Sequence, residues 1–258
     1  MHQNDGRNGR FILIGALLTL GIFGLDHNLG FAQADKKSAA PSDPSKPVTV
    51  PEGARPLTYN PPLRGNPAGR VGGGTRGGAP ERSVVLSLLT PDHVGLTTQE
   101  QPNLFWYISQ PTSHAVEVTV IENQAVKPLL ETPLRSPTQG GIQRISLKDY
   151  NVRLRTGAQY RWYIAVVPDP KNRSKDILAG GFIERIEATD ALRKRLAEAG
   201  AEQSAFVYAE EGIWYDALAT LSDLIEKAPG DSKPRLQRVS LLEQVRLQQV
   251  ADFDRDRR

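Results

Sequence analysis

The stretch that decides the fold is Leu154-Arg155-Thr156-Gly157-Ala158-Gln159-Tyr160-Arg161-Trp162-Tyr163-Ile164-Ala165-Val166-Val167. Side chains of an extended chain alternate between two faces, so Tyr160, Trp162, Ile164 and Val166 share one side. Gly157 supplies a turn just ahead of them. A tyrosine opening a late strand behind such a turn has the pattern of the tyrosine corner of β-sandwiches, where the hydroxyl bonds back to upstream backbone. The segment is expected to be a central strand, with Tyr160 and Trp162 in the core.

Working outward, short alternating apolar runs lie at 83–90, 103–109, 115–122, 125–132, 142–147, 159–167 and 177–186. Turn residues separate them: Pro91-Asp92, Gln110-Pro111, Glu122-Asn123, Gly140-Gly141 and Pro168-Asp169-Pro170. About seven short strands without helical periodicity predict an immunoglobulin- or fibronectin-III-like β-sandwich over 83–187. Two runs carry the same triplet, Trp106-Tyr107-Ile108 and Trp162-Tyr163-Ile164. Alternation turns both tryptophans inward as core anchors rather than outward as a sugar-stacking platform, and leaves Tyr107 and Tyr163 as candidate surface contacts.

After Ile186 the period becomes helical, giving a helical region over 188–250 and a tail, 251–258, expected to fray. Thr189 or Asp190 caps a first helix that Gly200 ends. Residues 201–211 and 213–227 then form a hairpin closed by Pro229-Gly230, followed by a helix over 233–249. Ala205, Tyr208, Ala217, Leu221 and Pro229 fit the pattern of one tetratricopeptide repeat, although Ala201 and Ser204 stand where tryptophan and leucine belong. A single unit cannot stack into a solenoid, so it is expected to pack on the sandwich or on a partner. Trp214 and Tyr215 are neighbours that point in different directions on a helix, one expected in the core and the other at an interface.

Residues 1–34 have the form of a secretory signal: Arg7 and Arg10, an apolar run from Phe11 to Leu25, then Ala32-Gln33-Ala34. The alternative, an uncleaved anchor, is disfavoured because the apolar run falls short of the roughly 20 residues that span a bilayer. Membrane contact is expected only through this segment if it stays uncleaved. Residues 35–82 read as a disordered linker rich in Pro, Gly and Arg, with nine prolines and eight glycines. Within it Arg64, Arg70 and Arg76 recur at intervals of six. The run has neither the preceding strand nor the Gly-Lys-Ser/Thr ending of a P-loop. An RNA-binding reading loses its partner once the chain is secreted, so a basic tether is the expectation.

The chain has no cysteine, which removes disulfides, thiolate nucleophiles and cysteine zinc sites. A secreted chain without disulfides suits a bacterial periplasm or envelope. The net charge of +3 gives no whole-protein argument for nucleic acid.

Five blocks in order carry a family resemblance: Gly95-Leu96-Thr97-Thr98; Pro102-Asn103-Leu104-Phe105-Trp106-Tyr107; Tyr160-Arg161-Trp162-Tyr163; Asp169-Pro170-Lys171-Asn172-Arg173-Ser174; and Gly212-Ile213-Trp214-Tyr215-Asp216-Ala217-Leu218. The chain resembles the domain of unknown function nine-two-eight family, secreted and mostly cyanobacterial proteins. The resemblance implies an envelope address and transfers no catalytic residue.

His93 beside Asp92 has the makings of an oriented base, although a surface turn explains the pair as well. His114 stands apart. No His-Glu-x-x-His or Gly-x-Ser-x-Gly motif occurs, and no metal or cofactor is expected. The loop 168–176 holds Asp169, Arg173 and Asp176, readable either as a binding end or as a self-contained ionic clasp. The expected function is a non-catalytic envelope interaction or ligand-binding module, its partner an envelope protein or polysaccharide. Two alternatives stand beside it. One is a carbohydrate hydrolase built on Asp169 and Glu184; the other is a periplasmic partner of a membrane sensor.

Overall fold

Tyr160 is fully buried, and its hydroxyl accepts a hydrogen bond from the Arg155 backbone N–H at 2.9 Å, so the corner forms as its sequence predicts. The computed structural model describes residues 56–62, 70 and 84–257, all within one compact unit spanning 50–258. The expected signal at 1–34 and the rest of the 35–82 linker lie outside the described residues.

Among the described residues eight strands form two sheets. They are β1 (Leu86–Leu88), β2 (Gly95–Thr97), β3 (Asn103–Ile108), β4 (Ala115–Glu122), β5 (Leu130–Leu134), β6 (Gly141–Ser146), β7 (Gln159–Val167) and β8 (Ile177–Arg185). The smaller sheet runs β1-β3-β6 and the larger β2-β8-β7-β4-β5. In the larger sheet β2 lies parallel to β8, while the other neighbours are antiparallel. The sequence reading missed β2, which is only three residues long. It also placed β5 five residues early; the turn chemistry from Asn123 to Pro128 continues until Leu129, whose N–H bonds back to Val120.

Four helices follow: α1 (Asp190–Glu210), α2 (Trp214–Lys227), α3 (Ser232–Gln244) and α4 (Gln248–Asp256). Thr189 caps α1 by accepting from the Leu192 N–H. Gly200 is non-helical, with φ 66° and ψ 177°, so α1 is two helical segments meeting at a kink where the sequence expects the first to end. The expected helix over 233–249 instead stops after Gln244, where Arg246 has a φ of 60°. The tail expected to fray is α4, and the burial of Val250, Ala251 and Asp254 explains why it holds.

Both faces of β3 are covered. Leu104, Trp106 and Ile108 face the core shared with the larger sheet, and Phe105 and Tyr107 face the helices. The ring of Tyr107 meets that of α4 residue Phe253 edge-on at 5.2 Å. One apolar cluster contains Trp106 and Trp162 from the sheets together with Trp214, Tyr215, Leu218 and Leu242 from the helices. The boundary expected at 187/188 is therefore a change of secondary structure within a common core.

Part of the expected disordered linker is docked. Leu57 and Tyr59 are buried, with exposures of 3% and 6%. The Gln244 side chain accepts from the Tyr59 N–H at 2.8 Å and donates to the Leu57 carbonyl at 3.0 Å, and the Asn60 N–H reaches the Ala209 carbonyl. Composition pointed to disorder because it averages over 35–82, whereas two apolar side chains at alternate positions are enough to seat this short strap. Farther on, the Arg70 guanidinium donates to the carbonyls of Thr90, Val245 and Arg246. A cation at a helix C-terminus satisfies carbonyls that the helix leaves free, which gives one arginine of the periodic run a physical role.

Candidate functional site

A cavity of about 340 Å³ lies between the smaller sheet and the helices. Phe105 and Ile142 floor it, α2 contributes Ser222, Ile225 and Glu226, α3 and α4 contribute Arg235, Arg238, Phe253 and Asp254, and Arg257 follows just after α4. Arg144 of β6 completes the rim, its guanidinium carbon 5.1 Å from the Phe105 ring centre. Alternation along β3 and β6 puts these residues on the helix side. The turn between α3 and α4 at Arg246 brings the last helix back to close the wall.

The guanidinium groups are held to different degrees. Arg238 is buried and fully committed: Nε and one amino group donate to Asp254 at 2.7 Å each, and the other donates to Ser222 Oγ at 3.0 Å. Arg235 makes a single 3.2 Å contact with the same carboxylate. Arg144 reaches Asp223 at 2.6 Å and Glu226 at 3.3 Å through one nitrogen. Arg257 stacks over Phe253 at 5.3 Å and has no carboxylate partner among the described residues. Each guanidinium carries five N–H donors, so Arg144, Arg235 and Arg257 all keep donors uncommitted at the cavity.

A second cleft of about 220 Å³ is polar, lined by Thr97, Gln99, Asn103, Tyr208, Asp216 and Thr220 among others. Asp216 is buried, and burial pushes its carboxyl pKa up against the hydrogen bonds it receives. Its oxygens accept from the Thr98 N–H, the Thr98 hydroxyl and the Gln99 amide at 2.9–3.0 Å. These contacts tie the start of α2 to β2 and leave the carboxylate occupied.

The residues singled out from the sequence scatter. Trp106, Tyr160 and Trp162 are core, as expected. Tyr107 is not a surface contact; its ring packs against Phe253 because β3 is covered on both faces. Tyr163 is half-buried on the outer face of the larger sheet and lies against Gly180, where an added Cβ would come within 2.6 Å of its ring. Trp214 and Tyr215 are both buried, correcting the expectation that one forms an interface. The Trp214 indole N–H donates to the Leu89 carbonyl at 2.8 Å, and its ring meets Tyr59 of the strap edge-on. The Tyr215 hydroxyl accepts from the Trp162 indole N–H at 2.9 Å and donates its proton to the Phe182 carbonyl at 2.9 Å, with the Thr90 hydroxyl 3.1 Å away.

In the loop after β7, Arg173 donates to Asp176 at 2.7 Å and to Glu117 of β4, while Asp169 accepts from the Lys171 N–H and pairs with Lys175. Only half of the expected self-contained clasp forms: Arg173 pairs with Asp176, but Asp169 pairs with Lys175 and Arg173 also fastens the loop to a neighbouring strand. These contacts raise the Arg173 pKa. Glu184 pairs across the hairpin with Gln159, at the far end of β7 from Asp169. Eight residues at about 3.3 Å each put roughly 26 Å between those levels, whereas glycosidase carboxylates stand about 5–9.5 Å apart. Asp169 and Glu184 do not form such a pair.

His93 accepts or donates at 2.9 Å with the Tyr59 hydroxyl and stacks on its ring, and burial lowers its pKa. It fastens the strap. No group of three or more His, Asp or Glu side chains suited to a metal occurs among the described residues. The arginine cavity escaped sequence reading because its residues come from β3, β6 and three helices. No spacing along the chain announces them.

Two sheets followed by four helices, with a charged cavity at their junction, define an αβ protein built around one shared core. Residues 71–254 match the family described as Domain of Unknown Function (DUF928), and the chain belongs to it. Among curated proteins none matches. Among solved structures a multi-domain immunophilin from Arabidopsis thaliana aligns over 66% of this chain and 92% of its own at 7% identity. Its TM-score is 0.17, so the likeness carries no argument about fold or function.

Proposed function

We propose that this protein is a non-catalytic ligand-binding or interaction module of the bacterial cell envelope, with the junction cavity as its binding seat. The cavity itself carries the reading: a cleft of about 340 Å³ with aromatic and aliphatic walls and converging polar groups is what a ligand site needs. The signal-like pattern of residues 1–34 and the absence of cysteine support a periplasmic or envelope address. The corner at Tyr160 supports an immunoglobulin- or fibronectin-like ancestry for the sheets. Ala205, Ala217 and Leu221, all buried in the helical hairpin, support a tetratricopeptide-like one for α1 and α2.

The test is capture from envelope extracts by wild-type protein and by a cavity-filling Ile142→Trp variant whose circular dichroism matches the wild type. The expected result is a protein or polysaccharide that the wild type retains and the variant loses. Equal capture by both, or none by either, rejects the cavity as the seat.

A further inference from the structure

We infer that the junction cavity takes a compact dianion joined to a flat apolar body; this rests on the cavity being the binding seat. Four guanidinium groups line it against two carboxylates, Glu226 and Asp254, and Asp223 pairs with Arg144 from beyond the lining, which leaves one positive charge in excess. The chain as a whole is nearly balanced, so the excess is local to the cavity.

The two carboxylates do not quench it evenly. Asp254 is held from two sides by Arg238 and serves the fold, and Arg235 touches it only at 3.2 Å. Arg257 carries no counter-charge among the described residues. Arginine presents a planar fork of donors that matches carboxylate and phosphate oxygens, and it binds more strongly where water is partly excluded. Ring faces and alkyl side chains occupy the rest of the wall: Phe105, Ile142, Ile225 and Phe253. A bare anion would leave that surface wet, and a neutral ring would leave the arginine donors to water. A phosphate monoester or dicarboxylate on a planar body satisfies both.

Phenyl phosphate, phthalate and phenol, titrated calorimetrically into the full chain, test this directly. Both dianions, or one of them, are expected to bind at least tenfold more tightly than phenol, and the better dianion names the head group. Raising the salt concentration should weaken the binding, as for partly exposed charges. Arg257→Ala and Arg235→Ala should each lower dianion affinity about tenfold while leaving the thermal midpoint near that of the wild type, since neither guanidinium is the principal partner of a buried acid. Arg173→Ala, remote from the cavity, should leave affinity unchanged. If phenol binds as well as the dianions, or if Arg257→Ala and Arg235→Ala leave affinity intact, the anion assignment is wrong and the cavity remains a ligand seat of another kind. If none of the three probes binds, the anion assignment falls, and loss of the capture difference made by Ile142→Trp is then what separately removes the seat.

Discussion

Tyr215 shows how much one hydroxyl can hold. It accepts from the Trp162 indole N–H, gives its own proton to the Phe182 carbonyl and meets the Thr90 hydroxyl, joining α2 to β7, β8 and the segment after β1. Tyr215→Phe leaves the buried Trp162 N–H without its acceptor, and an orphaned buried donor costs about 1–3 kcal/mol. Urea unfolding should show that loss with an unchanged slope. Its neighbour Asp216 tests burial through pH. The folded state holds the Asp216 proton more tightly than the unfolded chain does. The corresponding stability is complete below the unfolded carboxylate value of about 3.9 and is lost as pH rises through the folded value. Wild type should therefore lose stability relative to Asp216→Asn as pH rises above about 4, as read from urea midpoints at each pH. The sequence made Trp106, Tyr160 and Trp162 legible as core through strand alternation alone. It failed at Trp214 and Tyr215, because helical geometry says that adjacent side chains diverge but not that both directions are covered.

At the scale of elements, the strap and α4 carry the instructive cases. The strap depends on His93, whose pKa burial lowers while Asp92 opposes the shift. A depressed histidine contributes stability that is present above its unfolded value of about 6.5 and is lost as pH falls through the folded value. Amide exchange at Tyr59 and Asn60, corrected for its intrinsic pH dependence, should accelerate on acidification, and His93→Gln should abolish that response. Gly212 holds the strap from beneath: its φ is 71°, and a Cβ there would approach the Asn60 carbonyl to 2.5 Å. Helix α4 is fixed by Asp254, and Asp254→Ala would strand the Arg238 charge in the interior. Breaking one side of a buried pair costs about 3–5 kcal/mol, while replacing both sides with apolar groups is often neutral. Calorimetry should accordingly find Asp254→Ala strongly destabilised and Arg238→Met/Asp254→Leu close to wild type. Neither element was legible. The tail 251–258 is dense in charge, and nothing in its order says that Asp254 will meet an arginine 16 residues earlier.

For the molecule as a whole, the shared core sets the unfolding behaviour. No disulfide braces the sheets, and Trp214 and Tyr215 complete the cluster that Trp106 and Trp162 begin. Urea transitions followed by tryptophan fluorescence and by far-ultraviolet circular dichroism should coincide, the signature of one cooperative unit. Two separated transitions would mean that sheets and helices fold apart. Seven of the eight described strands and the helical hairpin were readable because periodicity is local. The cavity was not, since it exists only once the helices return over the smaller sheet.

The strap has a mechanical consequence. Tension arriving from the N-terminal side meets the catch at Tyr59, Asn60 and Gln244 first, and then the second catch where Arg70 grips the end of α3. Both must slip before the load reaches β1. Residues 56–62 alone have an extended length of about 25 Å at roughly 3.5 Å per residue, so the polypeptide carries its own shock absorber ahead of the cavity.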